Sequence, residues 1–349
     1  MHFGFGPMST EIIEAIYQYS HQHKIELMLI ASKNQIDYDG GYVNNWNTRL
    51  YTEYLTKLQK IYPDSKIMIC RDHCGPGFKH RKNIYCGKSS KEDSKNTIRE
   101  DINCGFNLIH IDLCHYTFIG NIIQETCNLL EFAENLNPDI EFEIGTDDIS
   151  EKIIDTTQWE TELHEFLKFD PIYYVVNTGS RIMENQQIGT FDKQLTQHLH
   201  HCLRDYGIGL KEHNADYLSA SQIKLRHNCV DAMNIAPQLG VVQTSTVLHE
   251  AQKYGIKVDD FVNLVYNSNR WKKWDHGNLT GNPYFSTVVA GHYHYTSDEY
   301  KRIIDKLHNI KHHKHEFVWV ENQIIQNIKD VINHYVGISR FDWMLKDRI

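Results

Sequence analysis

No apolar run in this chain is long enough to cross a membrane. A spanning helix needs about 20 consecutive apolar residues, and stretches such as IELMLIA (25–31) stop far short of that. A secretory leader is not expected either, because MHFGFGPMST at the N-terminus lacks the charged-then-apolar signature. A basic surplus is missing. Lys and Arg number 36 against 45 Asp and Glu, the net charge is -9 and the pI is near 6.2, which argues against a nucleic-acid face. Paired C-x-x-C motifs are absent too. The eight cysteines (70, 74, 86, 104, 114, 127, 202 and 229) sit mostly inside apolar runs and read as reduced, buried thiols of a cytoplasmic protein. Neither a glycine-rich dinucleotide fingerprint after the first strand nor a Walker-type phosphate loop occurs. Histidine, by contrast, is abundant, at 22 residues; clusters such as His312, His313 and His315 read as solvated surface.

What is present is a rhythm of short apolar runs and amphipathic stretches. Strands are expected at 2–6, 25–31, 67–70, 107–113, 139–145, 171–177, 207–212 and 230–235, each followed by a helical segment. Buried strands alternating with helices imply a parallel sheet. Eight units over about 254 residues have the size of a (β/α)8 barrel, and the missing dinucleotide and Walker signatures weigh against a doubly wound open sheet. The expected fold is therefore α/β, a (β/α)8 TIM barrel over residues 1–254. A C-terminal helical extension over 255–349 packs on the barrel rather than forming a domain of its own. Two of its helices are expected near 297–309 and 319–335.

A barrel gathers its strand C-termini on one face, where its chemistry is placed. The polar residues at those ends are Asn34, Asp72, His73, Asp112, Glu143, Asn177, His213 and Asn234. The most concentrated stretch is KIMICRDHCGPG (66–77), in which a buried strand runs into a carboxylate, an imidazole and a glycine-rich loop. His73, His213 and Glu143 offer nitrogen and oxygen ligands suited to zinc or a similar divalent ion. Asp72 beside them is placed for acid–base work. Each residue alone also has a structural reading, because Asn and Asp commonly start turns.

The segments SKNQIDYDGGY (32–42), RDHCGPG (71–77), GFNLIHIDL (105–113), EFEIGTD (141–147), KEHNADY (211–217) and WDHGN (274–278) resemble, in order, the Z-type subunit family of class II tagatose-bisphosphate aldolase. More distantly they resemble the catalytic class II ketose-bisphosphate aldolases, which are zinc-dependent (β/α)8 barrels. The resemblance implies a proton-transfer role for Asp72 and a zinc-ligand role for His73 and His213. It implies an approach of Glu143 to the metal, with a catalytic part for that carboxylate, and a substrate contact for Asn234. Asn34, Asp112, Asp216 and His276 join Asn234 as candidate substrate contacts. Two departures stand out. Asn177 replaces a zinc histidine and becomes a candidate fourth ligand, and Asn214-Ala215-Asp216 replaces a Gly-Gly-Ser phosphate loop.

The chemistry implied is retro-aldol cleavage and re-addition through an enediolate of a ketose or ketose phosphate, ending in aldol cleavage or C4 epimerisation. The alternative is the role for which the family was named, a non-catalytic subunit stabilising a separate aldolase chain; a homo-oligomer is the other assembly to consider. His110 reads either as a barrel-interior residue or as simple packing. Lys33 and Arg181 could meet a phosphate but read by default as surface residues, and Cys70 and Cys74 read as packing.

Overall fold

A computed structural model describes residues 1–79, 87–115, 122–146, 156–310 and 319–346. Eight strands form one sheet: β1 His2–Phe5, β2 Glu26–Ser32, β3 Lys66–Cys74, β4 Leu108–Ile111, β5 Glu141–Gly145, β6 Tyr173–Val175, β7 Gly209–Glu212 and β8 Ala232–Ile235. All neighbours are parallel, and β1 closes on β8 through the register His2↔Ala232 to Phe5↔Ile235. The sheet is thus a closed barrel, as the strand–helix rhythm predicts, and not an open doubly wound sheet.

The helices around it are α1 Thr10–His23, α2 Thr48–Ile61, α3 Gly87–Asn103, α4 Ile122–Leu136, α5 Thr156–Phe166, α6 Lys193–Arg204, α7 Ala220–Arg226 and α8 Pro237–Lys253. Their starts follow capping chemistry. Ser9, Asn47, Asp192 and Ser219 each accept a backbone N–H in the first turn. α8 begins at Pro237, because proline's missing N–H costs nothing in a first turn. The extension adds α9 Asp259–Asn267, a 3-10 turn Arg270–Trp274, α10 Pro283–Ala290, α11 Asp298–His308 and α12 Trp319–Lys346. α12 packs against α1, α7 and α8 through Ile324, Ile328, Ile332 and Tyr335. No described helix is long and apolar enough to cross a membrane. The cluster at 312–315 lies outside the described residues.

Strand alternation sorts the core into two layers. Leu27, Leu29, Ala31, Ile109, Ile111, Phe142 and Ile144 face the helices. Met28, Ile30, Cys70, Leu108, Tyr173 and Ala232 pack on one another inside the barrel. Two residues further along the same inward faces stand Asp72, His110 and Asn234. The interior therefore changes from apolar to polar toward the strand C-termini.

The sequence pattern ends the third strand at Cys70, but β3 continues to Cys74. Its pairing with β4 shifts register between Arg71 and Cys74, with Arg71 opposite Ile109 and Cys74 opposite Ile111. One extra residue is inserted, and His73 takes a left-handed φ of 49°. Gly75 follows because a Cβ there would lie 1.7 Å from the Asp112 carbonyl oxygen.

Arg71 itself points outward and is fully buried. Its Nε and Nη2 each lie 2.6 Å from an Asp101 carboxylate oxygen, and Nη1 donates to the carbonyls of Ala31 and Ile36. β3 is thereby fixed to α3 and to the loop after β2. Lys33 is not at the surface: it is fully buried, 2.7 Å from Asp93. Removing one partner of a buried, hydrogen-bonded ion pair typically costs about 3–5 kcal/mol. Asp101→Ala is expected to lose stability on that scale in urea unfolding, because it leaves the Arg71 charge without its carboxylate.

Candidate functional site

Three imidazoles converge inside the C-terminal mouth: His73 from the β3 bulge, His110 from β4 and His213 just past β7. One nitrogen from each lies within 4.8 Å of the others, and the ring centroids are 4.9 to 5.1 Å apart. His110 and His213 are buried and His73 is partly exposed.

Hydrogen bonds orient two of the rings. His73 Nδ1 is 2.7 Å from Asp112 Oδ2, so the carboxylate fixes the proton on Nδ1 and leaves Nε2 with its lone pair. His110 Nε2 is 2.9 Å from the Gly145 carbonyl and donates to it. His110 Nδ1 accepts the His73 backbone N–H at 3.3 Å, an approach supplied by the bulge. A metal-ligating histidine usually donates its other ring N–H to a carboxylate or a carbonyl, as His73 and His110 do; His110 Nδ1 would exchange the His73 N–H for the ion.

Carboxylates complete the layer. Glu143 Oε1 is 2.9 Å from His213 Nε2, and Oε2 is 2.5 Å from the ammonium of Lys211, itself buried. Asp72 lies 3.9 Å from nitrogens of all three histidines and accepts from Asn234 Nδ2 at 3.3 Å. Burial alone would raise the Asp72 carboxyl, but the neighbouring imidazoles outweigh it and hold it well below the usual carboxylate range. Burial is likewise overcome at Glu143, mainly by Lys211, and at Asp112, mainly by His73; each is lowered to about 2.

The donor set fits a divalent cation. Asp72, Asp112 and Glu143 carry three negative charges and Lys211 one positive. With the imidazoles neutral, as metal ligands must be, the layer is two charges short of balance; without an ion, protonated imidazoles meet that charge, and the surrounding carboxylates raise the His110 pKa despite its burial. The buried Asn234 Oδ1 has no hydrogen-bond partner among the described residues. It approaches β1 closely, 2.5 Å from where a Cβ on Gly4 would stand, so glycine is needed there for the amide to reach Asp72.

The other expected site residues lie around this centre. Asn34 donates to the Phe78 carbonyl, and the Phe78 ring stacks on His73 at 4.9 Å. Asn177 Oδ1 accepts the Gly179 N–H at 2.9 Å. His276 is exposed on the extension, with its backbone N–H donated to Glu184. Asp216 is buried and caps α8, accepting the N–H groups of Ala236 and Gln238 at 3.0 and 2.7 Å. Sequence reasoning left His110 between a barrel-interior and a packing residue, and the fold places it in the interior; it did not single out Lys211. Both carry a period-2 signal: Lys211 precedes His213, and His110 precedes Asp112, by two residues on one strand.

The family model described as D-tagatose-1,6-bisphosphate aldolase subunit GatZ/KbaZ-like matches residues 7–122. Over this part the chain is similar to that family. The matched residues include Asp72, His73, His110 and Asp112, so the match covers the bulge and one wall of the site. No curated protein matches the chain in sequence. Among solved structures, a probable tagatose 6 phosphate kinase from Sinorhizobium meliloti 1021 superposes with a TM-score of 0.78 at 16% identity, covering 97% of this chain and 99% of that one. A fructose-bisphosphate aldolase from Campylobacter jejuni gives 0.55 at 12% identity, with 97% and 90% covered. A putative fructose-1,6-biphosphate aldolase from Coccidioides immitis gives 0.51 at 13%, with 88% and 93% covered. At these identities the three likenesses concern the fold. They show that this chain shares the barrel fold of those proteins.

One titration outside the imidazole cluster is readable as stability. Burial raises the Asp216 carboxyl from 3.8 to about 7, only partly offset by the two N–H groups it caps. The folded protein therefore holds a proton that the unfolded chain has released between those values. The stabilisation is complete below pH 3.8 and is lost as pH rises toward 7. Asp216→Asn keeps an acceptor oxygen and removes the titration. Its stability measured by denaturant unfolding is expected to fall less steeply than wild type across that window.

Proposed function

We propose that the chain is a metal-dependent carbohydrate enzyme that cleaves and re-forms a C–C bond of a ketose or ketose phosphate. The convergence of three imidazoles with Asp72, in a layer two charges short of balance, carries this reading. His73, His110 and His213 would hold the ion, most simply Zn²⁺, with Glu143 beside them; Asn177 is a fourth donor only if it leaves its turn with Gly179. Such an ion, when bound, supplies Lewis-acid polarisation of the substrate carbonyl and adjacent hydroxyl.

The protein's own groups then have defined tasks. Asp72 stays ionised among the imidazoles and takes the proton of the C4 hydroxyl. The O–H electron pair closes the aldehyde C=O, the C3–C4 bond breaks, and its electrons move onto C3 and the former carbonyl. Asp72 returns the proton when the bond re-forms. Re-addition to the opposite face of the aldehyde inverts C4; release of the aldehyde completes an aldol cleavage. Asp112 keeps the His73 ring in one tautomer. Glu143 orients His213, and Lys211 keeps Glu143 ionised. Asn234 holds Asp72 from the β8 side and is a candidate contact for substrate, as are Asn34 and His276 at the rim.

The family's description as an aldolase subunit favours a second reading, a partner that stabilises a separate catalytic chain. The two readings diverge experimentally. On the enzyme reading, purified protein contains about one equivalent of divalent metal and converts a ketose phosphate on its own, followed by NMR of the sugar. Metal-free protein that leaves every ketose phosphate unchanged, and that co-purifies with a second aldolase chain, establishes the subunit role instead. His110→Ala is expected to lose most of the bound metal in elemental analysis. Retention of full metal would return the ligand set to His73, His213, Glu143 and Asn177. Asp72→Asn is expected to keep the metal while turnover drops about 10²–10⁴-fold, the usual range for a general acid–base group.

A further inference from the structure

Barrels commonly bind substrate phosphate at the loops after the seventh and eighth strands and at a helix N-terminus there. Here that position is filled from within. The Asp216 carboxylate occupies the N–H groups opening α8, and Tyr335 of α12 holds the same loop through the Ala215 carbonyl and Gln238. A phosphate would have to displace a buried carboxylate.

Unpaired positive charge lies instead on the extension. Arg270 and Lys273 are three residues apart in a 3-10 turn, where side chains at that spacing eclipse. Both stand over the Tyr293 ring, at 5.0 and 5.3 Å from its centroid. Among the described residues neither meets a carboxylate. The nearby acids are committed elsewhere: Asp275 accepts from the N–H groups of Gly277 and Leu279 and from Thr280, and Glu184 accepts from His276 and Asn278. Beside the two cations, the buried His294 Nε2 and Trp274 Nε1 have no hydrogen-bond partner among the described residues. Burial first, and then the Arg270 charge, lowers the pKa of His294, which keeps its ring neutral.

The segment is fixed at the mouth. The Trp274 carbonyl accepts the Glu184 N–H in the loop after β6. Tyr293 packs edge-on against Tyr42 in the loop after β2, 5.0 Å between centroids. His292 sits on α8, where a Cβ at Gly240 would lie 2.8 Å from it. Residues 270–294 therefore link loops from opposite sides of the barrel.

We propose that Arg270 and Lys273, with His294 and Trp274, form a phosphate site at the barrel mouth that receives the phosphoryl group of a ketose monophosphate. The assignment rests on the ketose reading above, but phosphate binding is measurable without turnover. The test is titration calorimetry of inorganic phosphate into the full-length protein. Wild type is expected to bind one equivalent. Arg270→Gln and Lys273→Met are each expected to weaken it at least tenfold, the double variant to abolish it, and Asp216→Asn to leave it unchanged. Both substituted side chains are exposed, and Lys24→Met, on a distant exposed turn, controls for general loss of charge. Binding that survives the double variant but disappears in His213→Ala would put the anion on the imidazoles and overturn the proposal. So would a sugar carboxylate that binds at this site while phosphate does not. Normal phosphate binding without any ketose turnover would support the site and refute only the retro-aldol reading.

Discussion

Everything in the upper barrel depends on placing three carboxylates and a lysine in a space that excludes water. Isolated charges there would be prohibitively costly. They persist because each is bound to another: Lys211 to Glu143, Glu143 to His213, Asp112 to His73, Asn234 to Asp72. The apolar layer below, from Met28 to Ala232, closes the barrel floor and lowers the local dielectric. That same low dielectric strengthens every interaction in the layer. A site of this kind binds a cation well because the negative charge has been gathered and oriented before the ion arrives.

The device that permits it is one extra residue in β3. In a regular strand, consecutive side chains face opposite ways, so Asp72 and His73 could not both enter the barrel. The insertion between Arg71 and Cys74, with His73 in the left-handed region, turns both inward. Such a conformation costs about 1–3 kcal/mol for a residue with a side chain. The outward clamp of Arg71 on Asp101 and the tight passage of Gly75 past Asp112 hold the strand on both sides of it. A carboxylate and an imidazole thus enter the barrel from adjacent positions of one strand.

Much of this was legible in the sequence, for a physical reason. Strand–helix alternation reports burial, and burial in this fold is repetitive, so eight units could be counted. Asp72, His73, Glu143 and His213 could be picked out because polar residues interrupt apolar strands near their C-terminal ends. The bulge was not legible, since inserting a residue leaves an apolar run looking merely shorter; hence the strand seemed to stop at Cys70. His110 was undervalued because a histidine amid apolar neighbours looks the same whether it packs or ligates. In the fold its ring is held by the His73 N–H on one nitrogen and the Gly145 carbonyl on the other, contacts that no sequence pattern announces. Lys33 was misplaced because a lysine after a strand resembles a solvated turn residue, and only the fold brings Asp93 to it across 60 positions.

The extension extends the same logic to the rim. A flexible cationic loop would pay conformational entropy to meet an anion. Here the Glu184 carboxylate holds the backbone of His276 and Asn278, while Tyr42 and Gly240 seat Tyr293 and His292. Arg270 and Lys273 therefore stand over one ring on a support fixed from two sides of the mouth, and their orientation has largely been settled in folding. The nearby acids serve as structural acceptors, and so the cations are left unneutralised in a protein of net charge -9. Local charge of the minority sign, held on a rigid frame beside a polar barrel mouth, is where an anionic substituent gains the most from binding.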